Sequence, residues 1–269
     1  VKPFKEETSV AEPILRRLKA TGVGKKIIGI ILERARLTKL DSTYYTGLVD
    51  KYKEMEWEGN CLHGNFNQCA VVTSRLSSSN PNLQNFSGEI KDLFYSRFRE
   101  HEGILINADW KGLEWFAAVL LSGDAEGRRE ILAGIDQHSE NQRWLGFRSA
   151  VDGRLLAKKF VFRLIFGGSS YAYANDAEFS SLRFGEKQWQ RVIDRFYDKY
   201  SGLKRWHDSL VEEAMRSGSL TIPTGRIYTF SPEMRRGSLV WPRTTIINYP
   251  VQGFGAELMK VARLIYHRK

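Results

Sequence analysis

Arg154, Lys158, Phe162 and Phe166 recur at intervals of four, which puts two cations and two aromatic rings on one stripe of a helix. The stretch that carries them, RLLAKKFVFRLIFGG from Arg154 to Gly168, also sets Ala157, Phe160, Val161, Leu164 and Ile165 at the spacing of one buried helical face. A nucleoside triphosphate suits such a stripe, because its phosphates want fixed positive charge and its base and sugar want a flat apolar surface. The rise from Arg154 to Phe166 is about 18 Å, enough to follow an extended nucleotide from phosphate tail to base. Taken alone, the same pattern is also that of an amphipathic helix with solvated charges beside its core.

Other chemistry-bearing residues need positioning too. The apolar run Ile104–Ile106 leads into Asn107, Ala108 and Asp109, and Leu113, Phe116, Ala117, Leu120 and Leu121 then resume at helical spacing. Asp109 is therefore expected at the end of a buried strand, where a carboxylate is costly unless paired or metal-bound, or else as the N-cap of the next helix. Cys61, Cys69 and His63 offer three metal donors where a structural zinc site wants four, so the two cysteines read as reduced thiols.

The supporting elements follow from periodicity. Residues 1–58 read as mostly helical, broken at the Thr21–Gly24 turn, and Cys61–Val72 suggests a hairpin turning near Gly64 and Asn65. The hydroxyl- and amide-rich run TSRLSSSNPNLQNF, Thr73–Phe86, reads as a loop. Glu186–Ser217 reads as one long helical stretch interrupted near Gly202, with Trp189, Val192, Ile193, Phe196, Tyr197 and Tyr200 buried. A further helix is expected from Gly255 to Lys269. With 269 residues and 42% hydrophobic composition the chain can bury a substantial core. Its net charge of +10 favours an anionic partner such as nucleic acid, and from Met215 onward nine Lys or Arg face only Glu233 and Glu257. No apolar run of about 18 residues is present, and VKPFKEETSV has no signal-peptide core, so a soluble, cytoplasmic protein is expected.

Five stretches in order resemble family A DNA polymerases, the DNA polymerase I group. Arg154, Lys158, Phe162, Phe166 and Gly167 match the family's fingers helix R-x3-K-x3-F-x3-Y-G with Phe166 in place of Tyr; Thr73–Asn85 matches T-G-R-L-S-S-x-x-P-N-L-Q-N with Ser74 in place of Gly; Asp109 and Glu114 match the first catalytic motif; Asp136 and His138 match D-x-H; and Asn248, Pro250, Gln252 and Gly253 match N-x-P-x-Q-G. Leu40–Tyr44 is similar to a segment closing the thumb, and Thr224, Gly225 and Arg226 to a turn of the fingers.

The resemblance implies an α+β right-hand polymerase fold, with an antiparallel palm sheet, a large helical fingers subdomain and a partial thumb. It divides the chain into partial thumb and linker (1–58), palm (59–124), fingers (125–235) and a return to the palm (236–269). It implies DNA-templated DNA synthesis by two-metal nucleotidyl transfer, with Asp109 and Lys158 as catalytic residues, and Asp109 and the Trp110 carbonyl on two Mg²⁺ ions. Arg154, Lys158, Phe162, Phe166, His138 and Glu114 would bind the dNTP; Arg75, Gln84, Asn85, Arg243, Asn248 and Gln252 would bind primer-template DNA. Glu114 would exclude a 2′-hydroxyl, and with Phe166 lacking a phenol to hold it, a looser sugar gate is expected.

The family's second metal-binding carboxylate lies in a His-Asp-Glu motif after the Q-G motif, whereas Asp208 is the last Asp of this chain. His207-Asp208 sits upstream among helix formers and reads as surface. The expectation is one fragment of a split or truncated polymerase, completed by a second polypeptide and encoded by a phage. The alternative is a catalytically inactive primer-template or nucleotide-binding remnant. A single-chain RNA polymerase relative is disfavoured by Glu114 and the Arg75 motif.

Overall fold

The computed structural model describes residues 12–18, 20–86, 88–147, 152–235 and 237–268. The stretch VKPFKEETSV lies outside them. The chain forms two compact units, one of residues up to Asn67 together with Ser77–Asn107, the other of Gln68–Leu76 with the residues from Ala108 onward. Helices predominate, joined by small antiparallel hairpins in an α+β arrangement.

The first unit contains α1 (Glu12–Arg17), α2 (Gly22–Leu40), a π-helical turn at Asp41–Tyr45, α3 (Thr46–Glu54), the strands β1 (Asn65–Asn67) and β2 (Ser77–Ser79), and the short α4 (Gly88–Lys91). Thr21, in extended conformation, begins α2 where the turn was expected. Tyr44 is buried, donates its hydroxyl to the Asn85 carbonyl at 2.6 Å and meets the Phe86 ring edge-on at 5.7 Å. The hairpin differs from expectation. Its second strand comes from the serine run read as a loop, with Asn65 opposite Ser79 and Asn67 opposite Ser77. Ser78 makes this possible by accepting the Leu83 N–H at 3.1 Å and donating to the Pro81 carbonyl at 3.3 Å, so the polar run satisfies itself locally.

Ile104–Ile106 is not a strand, and Ile104, Leu105 and Ile106 are 77%, 63% and 72% exposed. A strand is defined by its ladder partner, and among the described residues none pairs with this run.

The second unit holds α5 (Leu113–Ser122), α6 (Ala125–Leu132), α7 (Gln137–Trp144), α8 (Gly153–Ile165), α9 (Ser170–Ala174), α10 (Glu186–Lys199), α11 (Ser201–Ser217), the hairpins β3 (Ser219–Thr221) with β4 (Ile227–Thr229) and β5 (Glu233–Arg235) with β6 (Ser238–Val240), and α12 (Arg243–His267). The core is aromatic. Trp189 of α10 stacks on Tyr173 at 5.0 Å and on Phe160 of α8 at 5.9 Å, while Phe147 and Phe179 meet it edge-on. Such pairs add to the area term of burial and fix ring orientation, which locks α8 against α10.

Three element readings change. On α5 the buried residues are Trp115, Ala117, Ala118 and Val119, while Phe116 and Leu120 are exposed. After Glu114 the helix is apolar all round, so periodicity could not choose the face, and Trp115 chose it by packing on Tyr200 (4.9 Å) and Phe196 (6.3 Å). The long helical stretch breaks at Tyr200 (φ −111°, ψ 63°), two residues before Gly202. Gly202 is needed for a different reason: a Cβ there would lie 2.8 Å from the Asp124 backbone. Finally, α12 starts at Arg243 and runs through Pro250, taking in the whole N-x-P-x-Q-G segment rather than starting after it.

Candidate nucleotide site

Helix α8 carries the stripe as its spacing predicts. Ala157, Phe160, Val161, Leu164 and Ile165 are at most 1% exposed, whereas Arg154 and Lys158 are exposed and Phe162 and Phe166 half-buried along the flank. Phe166 caps the helix, and Gly167 follows at φ +82°, the left-handed residue that ends many helices.

Helix α7 supplies the next layer. Asp136 is its N-cap, accepting the His138 N–H at 3.3 Å and the Ser139 hydroxyl at 2.7 Å. The same carboxylate receives Arg154, from Nε at 3.0 Å and Nη2 at 2.8 Å, so one acid starts α7 and orients the first cation of α8. Burial works against the Asp136 charge, but Ser139 and Arg154 prevail and hold its pKa down at about 2. The His138 ring lies tilted on Phe162 at 5.9 Å, and the Lys158 ammonium is 5.8 Å from the same ring. Burial lowers the His138 pKa, and Arg154, Lys158 and Lys111 add to that against the opposing pull of Asp136. Positive charge from three cations thus converges on one half-buried imidazole, a field suited to a polyphosphate. Lys111 was missed in the sequence reading, although it lies two residues after Asp109; no spacing rule links it to α8.

Asp109 is exposed in the irregular segment before α5, and the N-cap of that helix is Gly112, at φ +70° with no side-chain cap bond. Its carboxylate is therefore neither at the end of a buried strand nor a cap. Trp110 beside it is 47% exposed. Glu114, in the first turn of α5, is met by Arg75 Nη2 at 3.2 Å. Arg75, read from the sequence as a DNA contact, thus pairs with the carboxylate that was expected to lose a phenol partner at Phe166. Among the described residues no three His, Cys, Asp or Glu side chains come together. These residues do not assemble a metal site, and Asp109 with the Trp110 carbonyl would supply only part of one.

Helix α12 brings Asn248 and Gln252 onto one face, four residues apart and both half-buried. Gly253 follows because a Cβ there would collide with the Tyr228 hydroxyl, 1.7 Å away. Arg243, at the helix start, donates to Asp208 at 3.1 Å. Thr224, Gly225 and Arg226 form the turn joining β3 to β4, with Gly225 at φ +88°. Gln84 and Asn85 belong to the other unit, in a short 3₁₀ turn begun by Asn82.

The surface reading of His207 fails. It is 0% exposed, with Nδ1 3.0 Å from the Tyr197 hydroxyl, and burial pushes its pKa down to about 3. His207 lies on the same face of α11 as Leu203, Leu210 and Ala214, all buried. Asp208 does face outward, where Lys204 and Arg243 pair with it.

This architecture is that of a polymerase. It is similar to the "POL domain of Pol1 from M. smegmatis complex with DNA primer-template and dNTP", with a TM-score of 0.69 and 22% identity over 89% of this chain and 42% of that one. Residues 1–269 match the profile of "DNA polymerase family A", and the chain belongs to that family. It is 32% identical over 256 residues to the thermostable DNA polymerase I of Thermus aquaticus, covering 91% of this chain and 30% of that protein. It is 30% identical over 246 residues to DNA polymerase I of Chloroflexus aurantiacus (88% and 25%), and 26% identical over 273 residues to that of Lactococcus lactis subsp. lactis (98% and 30%). The chain thus spans less than a third of the length of these relatives. Among the described residues no helix is long and apolar enough to cross a membrane.

Proposed function

We propose that this chain is the dNTP- and primer-template-binding portion of a DNA-directed DNA polymerase. The observation that carries the reading is the α7–α8 face, where the His138 ring and the Lys158 ammonium both meet Phe162 and Asp136 orients Arg154. Arg154 and Lys158 hold the triphosphate, with Lys158 beside the leaving phosphates as a catalytic cation; His138 takes the β-phosphate; Phe162 and Phe166 line the sugar and base. Glu114 lies under the sugar. Arg243, Asn248 and Gln252 on α12, with Arg75, Gln84 and Asn85, bind primer-template DNA. The subdomain division into thumb (1–58), palm (59–124), fingers (125–235) and returning palm (236–269) belongs to this reading.

Two Mg²⁺ ions, when bound, neutralise charge at the attacking 3′-hydroxyl and the departing pyrophosphate. Asp109 and the Trp110 carbonyl would be this chain's share of their ligands. In this reading a second polypeptide supplies the remaining carboxylate. The assembled enzyme then works in the cytoplasm, that of the host if a phage encodes it. Among the described residues no cluster of three His, Cys, Asp or Glu forms, which is equally what a second reading expects, a remnant that binds primer-template and nucleotide without chemistry.

Primer extension on a primed template with Mg²⁺ and dNTPs separates these readings. The expected result is extension only when the chain is supplemented with a second chain carrying the missing carboxylate, and its loss in Asp109→Ala. Binding without rescue would leave the remnant; extension by the chain alone would refute the need for a partner.

A further inference from the structure

Loop Gln68–Leu76 lies in the same unit as α5, β4 and α12, and one serine fixes it there. Ser74 sits at φ +64°, a conformation that burdens a residue with a β-carbon, yet it is only 3% exposed. Its hydroxyl is what offsets that conformation. Arg226 Nη2 donates to it at 2.9 Å, and Lys260 of α12 donates to it as well. Arg226 is itself held by Glu257 of α12, Nε to Oε1 at 2.6 Å, and the Ser74 N–H is satisfied by the Val71 carbonyl at 2.8 Å. A turn residue, a helix and a loop thus meet at one hydroxyl.

The next residue is Arg75, whose single 3.2 Å bond to Glu114 joins side chains 47% and 28% exposed. A one-point, half-solvated ion pair contributes little order by itself, since water and salt screen it. The direction in which Arg75 leaves the loop therefore depends on how Ser74 is seated.

We propose that Ser74 is a positioning residue which, through its bonds to Arg226 and Lys260, sets Arg75 against Glu114, and that Arg75 thereby determines discrimination between deoxyribose and ribose. The inference rests on the reading of Glu114 as the sugar-facing residue. A glycine at 74 relaxes the backbone but removes the hydroxyl, so the loop keeps its fold while the seat loosens.

The test compares kcat/KM for a dNTP and the matching rNTP in the complete polymerase, for the unaltered protein and for Ser74→Gly, Arg75→Gln, Glu114→Gln and the Ser74→Gly/Arg75→Gln double variant. Loss of the hydroxyl that receives Arg226 and Lys260 lowers the dNTP preference by about two- to tenfold in Ser74→Gly. Arg75→Gln lowers it at least as far, and the double variant goes no further, because both act through one contact. Equal losses for both sugars in Ser74→Gly, or effects that multiply in the double variant, would overturn the proposal. If Glu114→Gln alters the ratio while Arg75→Gln and Ser74→Gly leave it unchanged, the reading of Glu114 stands and this inference fails. If Glu114→Gln leaves the ratio unchanged, the reading of Glu114 is what fails, and the specificity role of Arg75 falls with it.

Discussion

Arg154 is engaged before any nucleotide arrives: its Nε and Nη2 both donate to one oxygen of Asp136, at 3.0 and 2.8 Å. On the proposed function, a triphosphate must compete with that carboxylate for the guanidinium. Asp136→Asn keeps an N-cap acceptor for α7 but removes the competing charge. Both side chains are substantially solvated, so the effect is modest: dNTP affinity should rise about two- to fivefold at low ionic strength. The gain should vanish in high salt. Equilibrium titration of a fluorescent dNTP at two salt concentrations checks this, and unchanged affinity at low salt would contradict it.

Lys111 and Lys158 both act on His138, so both should contribute to phosphate binding. Charge-assisted contacts are worth roughly 1.5–3 kcal/mol, so Lys158→Ala should weaken dNTP binding by about 10- to 100-fold. Lys111→Ala should have a smaller effect of the same sign, and neither should change the affinity for a nucleoside lacking phosphates. An equal loss for the nucleoside would place these lysines elsewhere.

Phe162 has the His138 ring at 5.9 Å and the Lys158 ammonium at 5.8 Å. In line with the resemblance of α8 to fingers helices that carry either Phe or Tyr here, Phe162→Tyr should raise dideoxynucleotide incorporation relative to dNTP. Competition assays at a single template position read this out; an unchanged ratio would remove Phe162 from the sugar site.

His207 gives stability a pH dependence. Its pKa is about 3 in the fold, against an ordinary value of 6.5, so below pH 6.5 the unfolded chain binds a proton that the folded chain does not. The sign is therefore loss of stability on acidification, complete only near pH 3. At about 1.4 kcal/mol per pH unit, the penalty between pH 6.5 and pH 5 is about 2 kcal/mol. Urea unfolding at the two pH values should show this slope, and His207→Gln should flatten it. Tyr197 provides the neutral ring's partner, while Arg243 and Lys204 oppose protonation and Asp208 favours it.

Helix α8 was legible from residue types alone, because one strongly periodic stretch dictates both its buried face and its charged stripe. The family motifs likewise stand in the sequence whatever surrounds them. Where local signals were degenerate, the chain order said little. Apolar all round after Glu114, α5 offered no preferred face until Trp115 found Tyr200 and Phe196. The last helix was expected from Gly255, yet α12 starts at Arg243 and continues through Pro250.

The site divides in the same way. The sequence by itself determined which cations, acids and rings are available and that Arg154, Lys158, Phe162 and Phe166 share a stripe, since helical geometry needs only spacing. Tertiary structure alone decided which charges meet: Arg154 with Asp136, Arg75 with Glu114, Arg226 with Ser74 and Glu257. Those pairs join residues 18 to 152 positions apart, and a pairing across such separations is fixed by packing rather than by any local periodicity.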